Sequence, residues 1–243
     1  MGRARHLNIM PRRPKNSLVS RLLQTGLRKG LTRAYHGVQL DPAKYLETMR
    51  RAHRLPIHKW SDMFRVEEAV VRHHADRIIR SASRTAALEG TGLGLGGMLT
   101  ILPDAGILSA ITVRMLHRLS LIYGFEYNSE DETQELWLAA ASAAGLDMGR
   151  EFIGKQAATH LVPAIIDRMA VKLGTEVAEK WTGRIIPLIS AGAAGTLNYY
   201  FVRSWGRRAQ KHFHERHMAV RKRSLAEPRH LALAHASHVN RAN

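Results

Sequence analysis

The residues whose types and spacing best suit chemistry lie in a glycine-rich run, AALEGTGLGLGGMLTILPDAG, at positions 86–106. Gly92, Gly94 and Gly97 have the G-x-G-x-x-G spacing of a loop that binds a dinucleotide pyrophosphate at a helix N-terminus. Such a loop follows a strand and is followed, about 20 residues later, by an acidic side chain. Here a basic helical pattern precedes the glycines, and basic side chains stand near position 117. The run therefore does not predict a nucleotide site.

The same run contains glycines four residues apart, which share a helix face and allow a neighbouring backbone to approach closely. Each glycine inside a helix costs about 1 kcal/mol relative to alanine, so close contact must offset that cost. We interpret the run as a helix-packing seam, and AGAAG at residues 191–195 offers a matching small surface. The packing glycines are Gly90, Gly92, Gly94, Gly96, Gly192 and Gly195.

Two further patterns resemble functional motifs without completing them. GREFIGKQ at residues 149–156 differs from a Walker A loop because Gln156 stands where Mg²⁺ binding needs Ser or Thr. In KHFHERH, His214 and His217 share a helix face while His212 points elsewhere, so a zinc site would need a carboxylate from another segment. The chain has no cysteine. We predict neither a cofactor nor a metal site.

Four polar side chains are set in apolar surroundings: Glu89, Asp104, Arg114 and Asn198. Burying an unpaired charge costs several kcal/mol, so we expect these groups to pair with one another or to lie at a wet interface. A polar cluster that specifies the fold is favoured over a catalytic one. The alternative is an unrecognised hydrolase that uses Glu89, Asp104 and His117.

Charge is concentrated at the two ends of the chain. The formal net charge is +17, of which residues 1–40 contribute +9 and residues 201–243 contribute +8, while the segment between them is neutral. This distribution predicts an anionic partner, either a membrane surface or a nucleic acid. Nucleic acid is the less favoured partner, because neither end interleaves aromatic residues for base stacking.

Hydrophobic periodicity predicts helices throughout and no strand, hence an all-α, multi-helix bundle with glycine-rich apolar helices. Asp41 and Pro42 predict a helix start, as do Ser129 and Glu132 as a capping box. Pro103 predicts a junction between two short apolar helices. Later helices are expected over residues 148–172, 175–184 and 188–223. We divide the chain into a basic arm (1–40), a helical domain (41–223) and a loose basic tail (224–243).

Residues 17–36 form a basic amphipathic pattern with leucines on one side. Such a helix suits an anionic membrane, but its leucines could equally pack on the body of the protein. The cations expected to face the membrane are Arg21, Arg28, Lys29 and Arg33.

The eighteen residues from Ile185 to Val202 carry no charge and would reach about 27 Å as a helix, against a hydrocarbon core of about 30 Å. Since the mean hydropathy of the chain is −0.24, we favour peripheral or shallow insertion over a full span. The aromatic residues expected at the interface are Trp181, Tyr199, Tyr200 and Trp205.

Several ordered motifs between roughly residues 65 and 220 resemble the EcsC protein family. They comprise Ala87-Leu88-Glu89-Gly90, the glycine run, Pro103-Asp104, Arg114, Tyr123-Gly124-Phe125, an acidic stretch, Pro187, Gly192, Gly195 and Asn198, then Ala209, Phe213 and Arg216. One position departs from the family pattern, since Gly106 stands where a proline is expected two residues after Asp104.

The resemblance implies a helical, membrane-associated bacterial protein, in a family named for a member encoded beside an ABC transporter and without a settled reaction. We accordingly expect a non-enzymatic accessory protein at the cytoplasmic face of the membrane. An anionic membrane surface is its expected partner, and a transporter or another membrane protein is a further candidate.

Overall fold

A computed structural model describes residues 17–38, 40–93, 101–127, 129–146, 158–182 and 191–239. Within these residues the chain forms seven α-helices and one 3₁₀ helix and contains no strand, which confirms the predicted all-α fold. In chain order they are α1 (Ser17–Gly37), α2 (Pro42–His53), the 3₁₀ helix (Trp60–Arg65), α3 (Glu68–Leu93), α4 (Ile101–Ile122), α5 (Glu130–Ala143), α6 (Ala158–Thr182) and α7 (Ala191–Val239).

Both predicted capping motifs form. The Asp41 carboxylate accepts hydrogen bonds from the backbone N–H groups of Ala43 and Lys44, at 2.9 and 3.1 Å, and α2 starts at Pro42. The Ser129 hydroxyl accepts from the N–H of Glu132 at 3.2 Å, while the Glu132 carboxylate accepts from the N–H of Ser129 at 3.0 Å. These bonds satisfy donors that have no partner inside the helix.

The predicted helix junction at Pro103 is wrong. The backbone is already helical at Ile101 and stays helical through Pro103 to Ile122. Proline is tolerated near the start of a helix because the N–H groups of the first turn have no intrahelical acceptor. The preceding helix, α3, runs into the glycine-rich segment as far as Leu93.

The predicted break between residues 172 and 175 is also wrong, since α6 is continuous there. Gly174 lies in that stretch because α1 crosses α6 at this point. A Cβ atom on Gly174 would be 2.6 Å from Cγ of Gln24 and 3.0 Å from its backbone nitrogen. The Gln24 amide also donates to the Thr175 hydroxyl at 3.3 Å. Gly174 therefore marks a close helix crossing and not a helix end.

The core is built around α7, whose largest interface is with α3. Helix α1 packs on α4 and α6, and α5 packs on α6 and α7. Helices α3, α4 and α7 meet at Gly206, where a Cβ atom would be 2.9 Å from Sδ of Met115 and 3.0 Å from the side chain of Ile79. The helical backbone of α7 continues to Val239, past Ser224, where composition predicts a loose tail.

Candidate functional site

The described part of the glycine run, as far as Leu93, is helical backbone. Gly92 lies in the helical backbone of α3, and what precedes it is helix and not strand. Of the six predicted packing glycines, Gly90 and Gly195 are buried, Gly92 and Gly192 lie in helical backbone, and Gly94 and Gly96 lie outside the described residues. The packing seam stays a prediction. The Walker-like segment 149–156 also lies outside the described residues.

Side-chain positions are described for three of the four polar residues of the apolar region. Glu89 and Arg114 are both exposed, and Asn198 is half-buried. Asp104 lies in the helical backbone of α4. Because both side chains are in contact with water, neither Glu89 nor Arg114 needs a buried ion-pair partner.

His117, the histidine of the hydrolase alternative, is a core residue. Its ring stacks on that of Tyr127 with centroids 4.5 Å apart. Its Nδ1 is buried and has no hydrogen-bond partner among the described residues. Burial, together with the charge of Arg114, lowers the pKa of His117 to about 4. A catalytic base is oriented by a third group, and no carboxylate among the described residues holds Nδ1 of His117.

The three histidines of KHFHERH contact three different neighbours. Nδ1 of His217 lies 2.9 Å from the backbone oxygen of Tyr123. Nε2 of His214 lies 3.6 Å from Oε1 of Glu68, and the His212 ring lies against Phe213. Across the described part of the chain, no three histidine or carboxylate side chains come together as metal ligands.

The leucines of α1 pack on the body of the protein. Leu23, Leu27 and Leu31 are buried in the helix that contacts α4 and α6. Of the two interpretations left open by the amphipathic pattern, packing is the one observed for these residues. The four cations predicted to face a membrane are exposed on the opposite side: Arg21, Arg28, Lys29 and Arg33. Arg28 forms an ion pair with Asp167 of α6 at 2.7 Å.

The predicted interfacial role of Trp205 is wrong. Trp205 is 1% exposed, and its indole N–H donates to the backbone oxygen of Ala140 at 3.3 Å. Tyr200, five residues earlier, is 64% exposed. Five residues turn a helix by about 140°, so these two rings cannot face the same side. Tyr199 is half-buried and accepts a hydrogen bond from Arg203, while Trp181 lies in the helical backbone of α6.

Helix α7 presents an exposed basic stripe. Its five positions are separated by 8, 3, 7 and 4 residues over about 33 Å of helix, close to whole numbers of turns, which places them on one side. Lys211 lies 3.9 Å from Glu215, the carboxylate on the same side. We call this surface the α7 stripe and define it by Tyr200, Arg208, Lys211, Met218 and Lys222. The sequence shows that this helix is basic, but only the packed structure shows which side faces outward.

A second feature is an open groove of about 510 Å³ between α2, α3 and α4, which we call the α2–α4 groove. Three cationic side chains line it: Lys44, Arg77 and Arg118. They are distant in sequence and belong to three helices, so no local pattern indicates that they converge.

No helix among the residues described by the structure has both the length and the apolar character needed to cross a bilayer. The first six residues of the uncharged run, 185–190, lie outside those residues, and the remainder belongs to α7.

Comparison with known proteins gives one family and one curated relative. The profile of the EcsC protein family matches residues 12–218. The chain is 26% identical over 147 residues to Protein EcsC of Bacillus subtilis (strain 168), a match that covers 58% of this chain and 61% of that protein. The match thus spans less than two thirds of the relative's length. No solved structure matches the chain.

Proposed function

This chain belongs to the EcsC protein family, and on that premise we propose that it is a membrane-associated accessory protein that binds an anionic bilayer through the α7 stripe. Its place is the cytoplasmic face of the membrane, where it sits as a peripheral or shallowly inserted protein. The proposed role is non-enzymatic, with a transporter or another membrane protein as the partner it assists.

The observation that carries this proposal is the composition of the α7 stripe. Arg208, Lys211 and Lys222 are exposed on the same side of the helix as Tyr200 and Met218. A cation near an anionic membrane surface contributes about 1 kcal/mol of binding, and tyrosine rings favour the headgroup region. Peripheral binding of this kind requires no membrane-spanning helix.

Helix α1 supplies a second basic surface. Its exposed cations include Arg21, Lys29 and Arg33, and its buried leucines, Leu23, Leu27 and Leu31, are already used in packing on the body. Electrostatic attraction from α1 would add to that of the α7 stripe without inserting apolar side chains. Since surface attraction is screened within about 10 Å at 0.1 M salt, membrane binding through both surfaces should weaken as salt is added.

Vesicle flotation tests the proposal. The test variant combines Arg208→Gln, Lys211→Gln and Lys222→Gln. The control combines Arg51→Gln, Lys59→Gln and Arg65→Gln, which removes the same charge from exposed positions on α2 and near the 3₁₀ helix. With phosphatidylglycerol vesicles at low salt, we expect the test variant to lose at least about tenfold in bound fraction and the control to lose much less.

Two outcomes would contradict the proposal. One is a wild-type protein that fails to float with anionic vesicles at low salt. The other is equal loss in the test and control variants, which would show that net charge alone and not the α7 stripe governs binding. Duplex DNA added as a competitor distinguishes the nucleic-acid alternative, because a protein that prefers DNA would leave the vesicles.

A further inference from the structure

We propose that the α2–α4 groove binds the phosphate group of an anionic ligand. This inference goes beyond membrane association, because the groove and the α7 stripe share no residue. The groove contains Lys44, Tyr45 and Met49 from α2, Arg77, Ile78 and Ser81 from α3, and Arg118 from α4.

The charge of the groove is unbalanced. Asp41 is the one carboxylate among the lining residues, against three cations. Its Oδ1 already accepts two backbone hydrogen bonds at the start of α2. Its other oxygen, Oδ2, lies 3.8 Å from the Nζ of Lys44. Even with Asp41 fully ionised, the lining retains an excess of two positive charges, which matches the charge of a phosphate monoester dianion.

Arg118 lies half-buried in the groove. Its guanidinium carbon lies 5.6 Å from the centre of the Tyr45 ring, so the aromatic face holds it in place. Its Nε atom is buried and has no hydrogen-bond partner among the described residues, and Arg118 forms no ion pair with them. Because Arg118 is only half-buried and lines the groove, its positive charge is available to a bound anion.

Arg77 of α3 adds a second guanidinium to the lining of the groove. It makes no hydrogen bond or ion pair with any described residue, and its neighbours include His53 and His74. Burial, and the charge of Arg77 with that of neighbouring histidines, lowers the pKa of both His53 and His74. The guanidinium fork of arginine matches the geometry of phosphate oxygens, so Arg77 and Arg118 are the groups expected to bind the ligand.

The size and lining of the groove indicate a phosphate attached to an organic group. A volume of about 510 Å³ is within the range of small-molecule sites and exceeds that of inorganic phosphate. Beside the cations, Tyr45, Met49 and Ile78 provide aromatic and apolar contact. A phosphorylated metabolite and a lipid headgroup share this chemistry.

Calorimetry at low salt distinguishes these two sources. The probes are inorganic phosphate, glycerol 3-phosphate, and phosphatidylcholine vesicles with or without phosphatidic acid. We expect glycerol 3-phosphate to bind the full chain. Arg77→Gln and Arg118→Gln should each weaken that binding at least about tenfold, because each removes a charged hydrogen bond. Arg65→Gln, an exposed charge change on the 3₁₀ helix and outside the groove lining, should leave it unchanged.

If the groove instead binds a lipid headgroup, the protein should bind glycerol 3-phosphate only weakly. It should then bind vesicles that contain phosphatidic acid, and Arg77→Gln and Arg118→Gln should each weaken that binding. Equal weakening by Arg65→Gln would overturn the inference, as would absence of binding to every phosphate probe. Arg77 is exposed, so Arg77→Gln should fold normally. This variant therefore still tests the inference if Arg118→Gln does not fold. If the α7-stripe variant no longer binds vesicles but still binds glycerol 3-phosphate, the α7 stripe and not the groove attaches the protein to the membrane. The groove is then a phosphate site that is independent of membrane binding.

Discussion

Asp76 on α3 and Arg207 on α7 form an ion pair across the largest helix interface of the protein. The amide of Gln210, one turn further along α7, donates to the same Asp76 oxygen at 2.9 Å. Two donors from successive turns of α7 thus converge on one carboxylate of α3. Both donors lie beside the buried side of α7, the side on which Trp205 faces inward, while Arg208 faces solvent.

Replacing Asp76 by Asn should destabilise the protein in a pH-dependent way. Burial raises the pKa of Asp76, but the hydrogen bond from Gln210 and the charge of Arg207 outweigh it and hold the pKa below its ordinary value. A carboxyl group with a lowered pKa stabilises the fold above about pH 4, and that contribution is lost as the pH falls through its folded pKa.

For this partly exposed pair we expect Asp76→Asn to cost about 1 kcal/mol of unfolding free energy at pH 7. Urea unfolding at pH 7 and at about pH 3 checks the expectation. The difference between wild type and variant should shrink at the lower pH. A difference that stays constant would show that the ionised form of Asp76 is not the stabilising one.

Gly174 and Gly106 form a matched pair of helix glycines with opposite expectations. A Cβ atom on Gly174 would collide with Gln24, including its backbone, so Gly174→Ala should cost about 1–3 kcal/mol by displacing α1 from α6. A Cβ atom on Gly106 would meet no atom within 4 Å, so Gly106→Ala should stabilise α4 by up to about 1 kcal/mol. Thermal unfolding measures both, and a stabilised Gly174→Ala variant would contradict the close crossing.

Features that depend on neighbouring residues could be predicted from the sequence, whereas features that depend on packing could not. The caps at Asp41 and Ser129 form within four residues, so their side-chain types suffice to predict them. Pro103 was misinterpreted because a proline near a helix start and one at a junction have the same local signature. The burial of Trp205 depends on Ala140, sixty-five residues away, and no local pattern encodes that contact.

The same distinction between local sequence and packing applies to the two candidate surfaces, the α7 stripe and the α2–α4 groove. A net positive charge at the chain ends is a property of composition, so a basic membrane-facing surface could be predicted. The α2–α4 groove could not, because Lys44, Arg77 and Arg118 converge only after three helices pack together. The exposure of Tyr200 and the burial of Trp205 likewise depend on which side of α7 packs against the other helices.

Substitutions at two aromatic residues of α7 should have different effects, one on folding and the other on membrane binding. Trp205→Phe removes the indole N–H that donates to Ala140 and leaves a small cavity, so we expect it to cost about 1–3 kcal/mol of unfolding free energy. Tyr200→Ala alters an exposed ring, so unfolding should change by less than about 0.5 kcal/mol while flotation with anionic vesicles decreases. Urea unfolding and vesicle flotation are measured on the same preparations. If Tyr200→Ala destabilised the fold or left flotation unchanged, the role of Tyr200 in membrane binding would be contradicted.

His117 should make the protein sensitive to mild acid. Its folded pKa is about 4, below the ordinary value of 6.5, because burial and the charge of Arg114 disfavour the protonated ring. Above pH 6.5 His117 is neutral in both the folded and the unfolded chain, so the full stability of the fold is present there. As the pH falls from 6.5 to 4 the unfolded chain takes up a proton that the folded chain does not, which removes up to about 3 kcal/mol of stability.

His117→Leu removes that titration together with an Nδ1 atom that has no partner among the described residues. We expect the variant to match or exceed wild-type stability at pH 7.5 and to lose less of it by pH 4.5. Urea unfolding across that interval measures the slope, and His58→Gln, at an exposed position, serves as the control that keeps the wild-type slope. Parallel pH profiles for wild type and His117→Leu would show that protonation of His117 is not what opposes folding in acid.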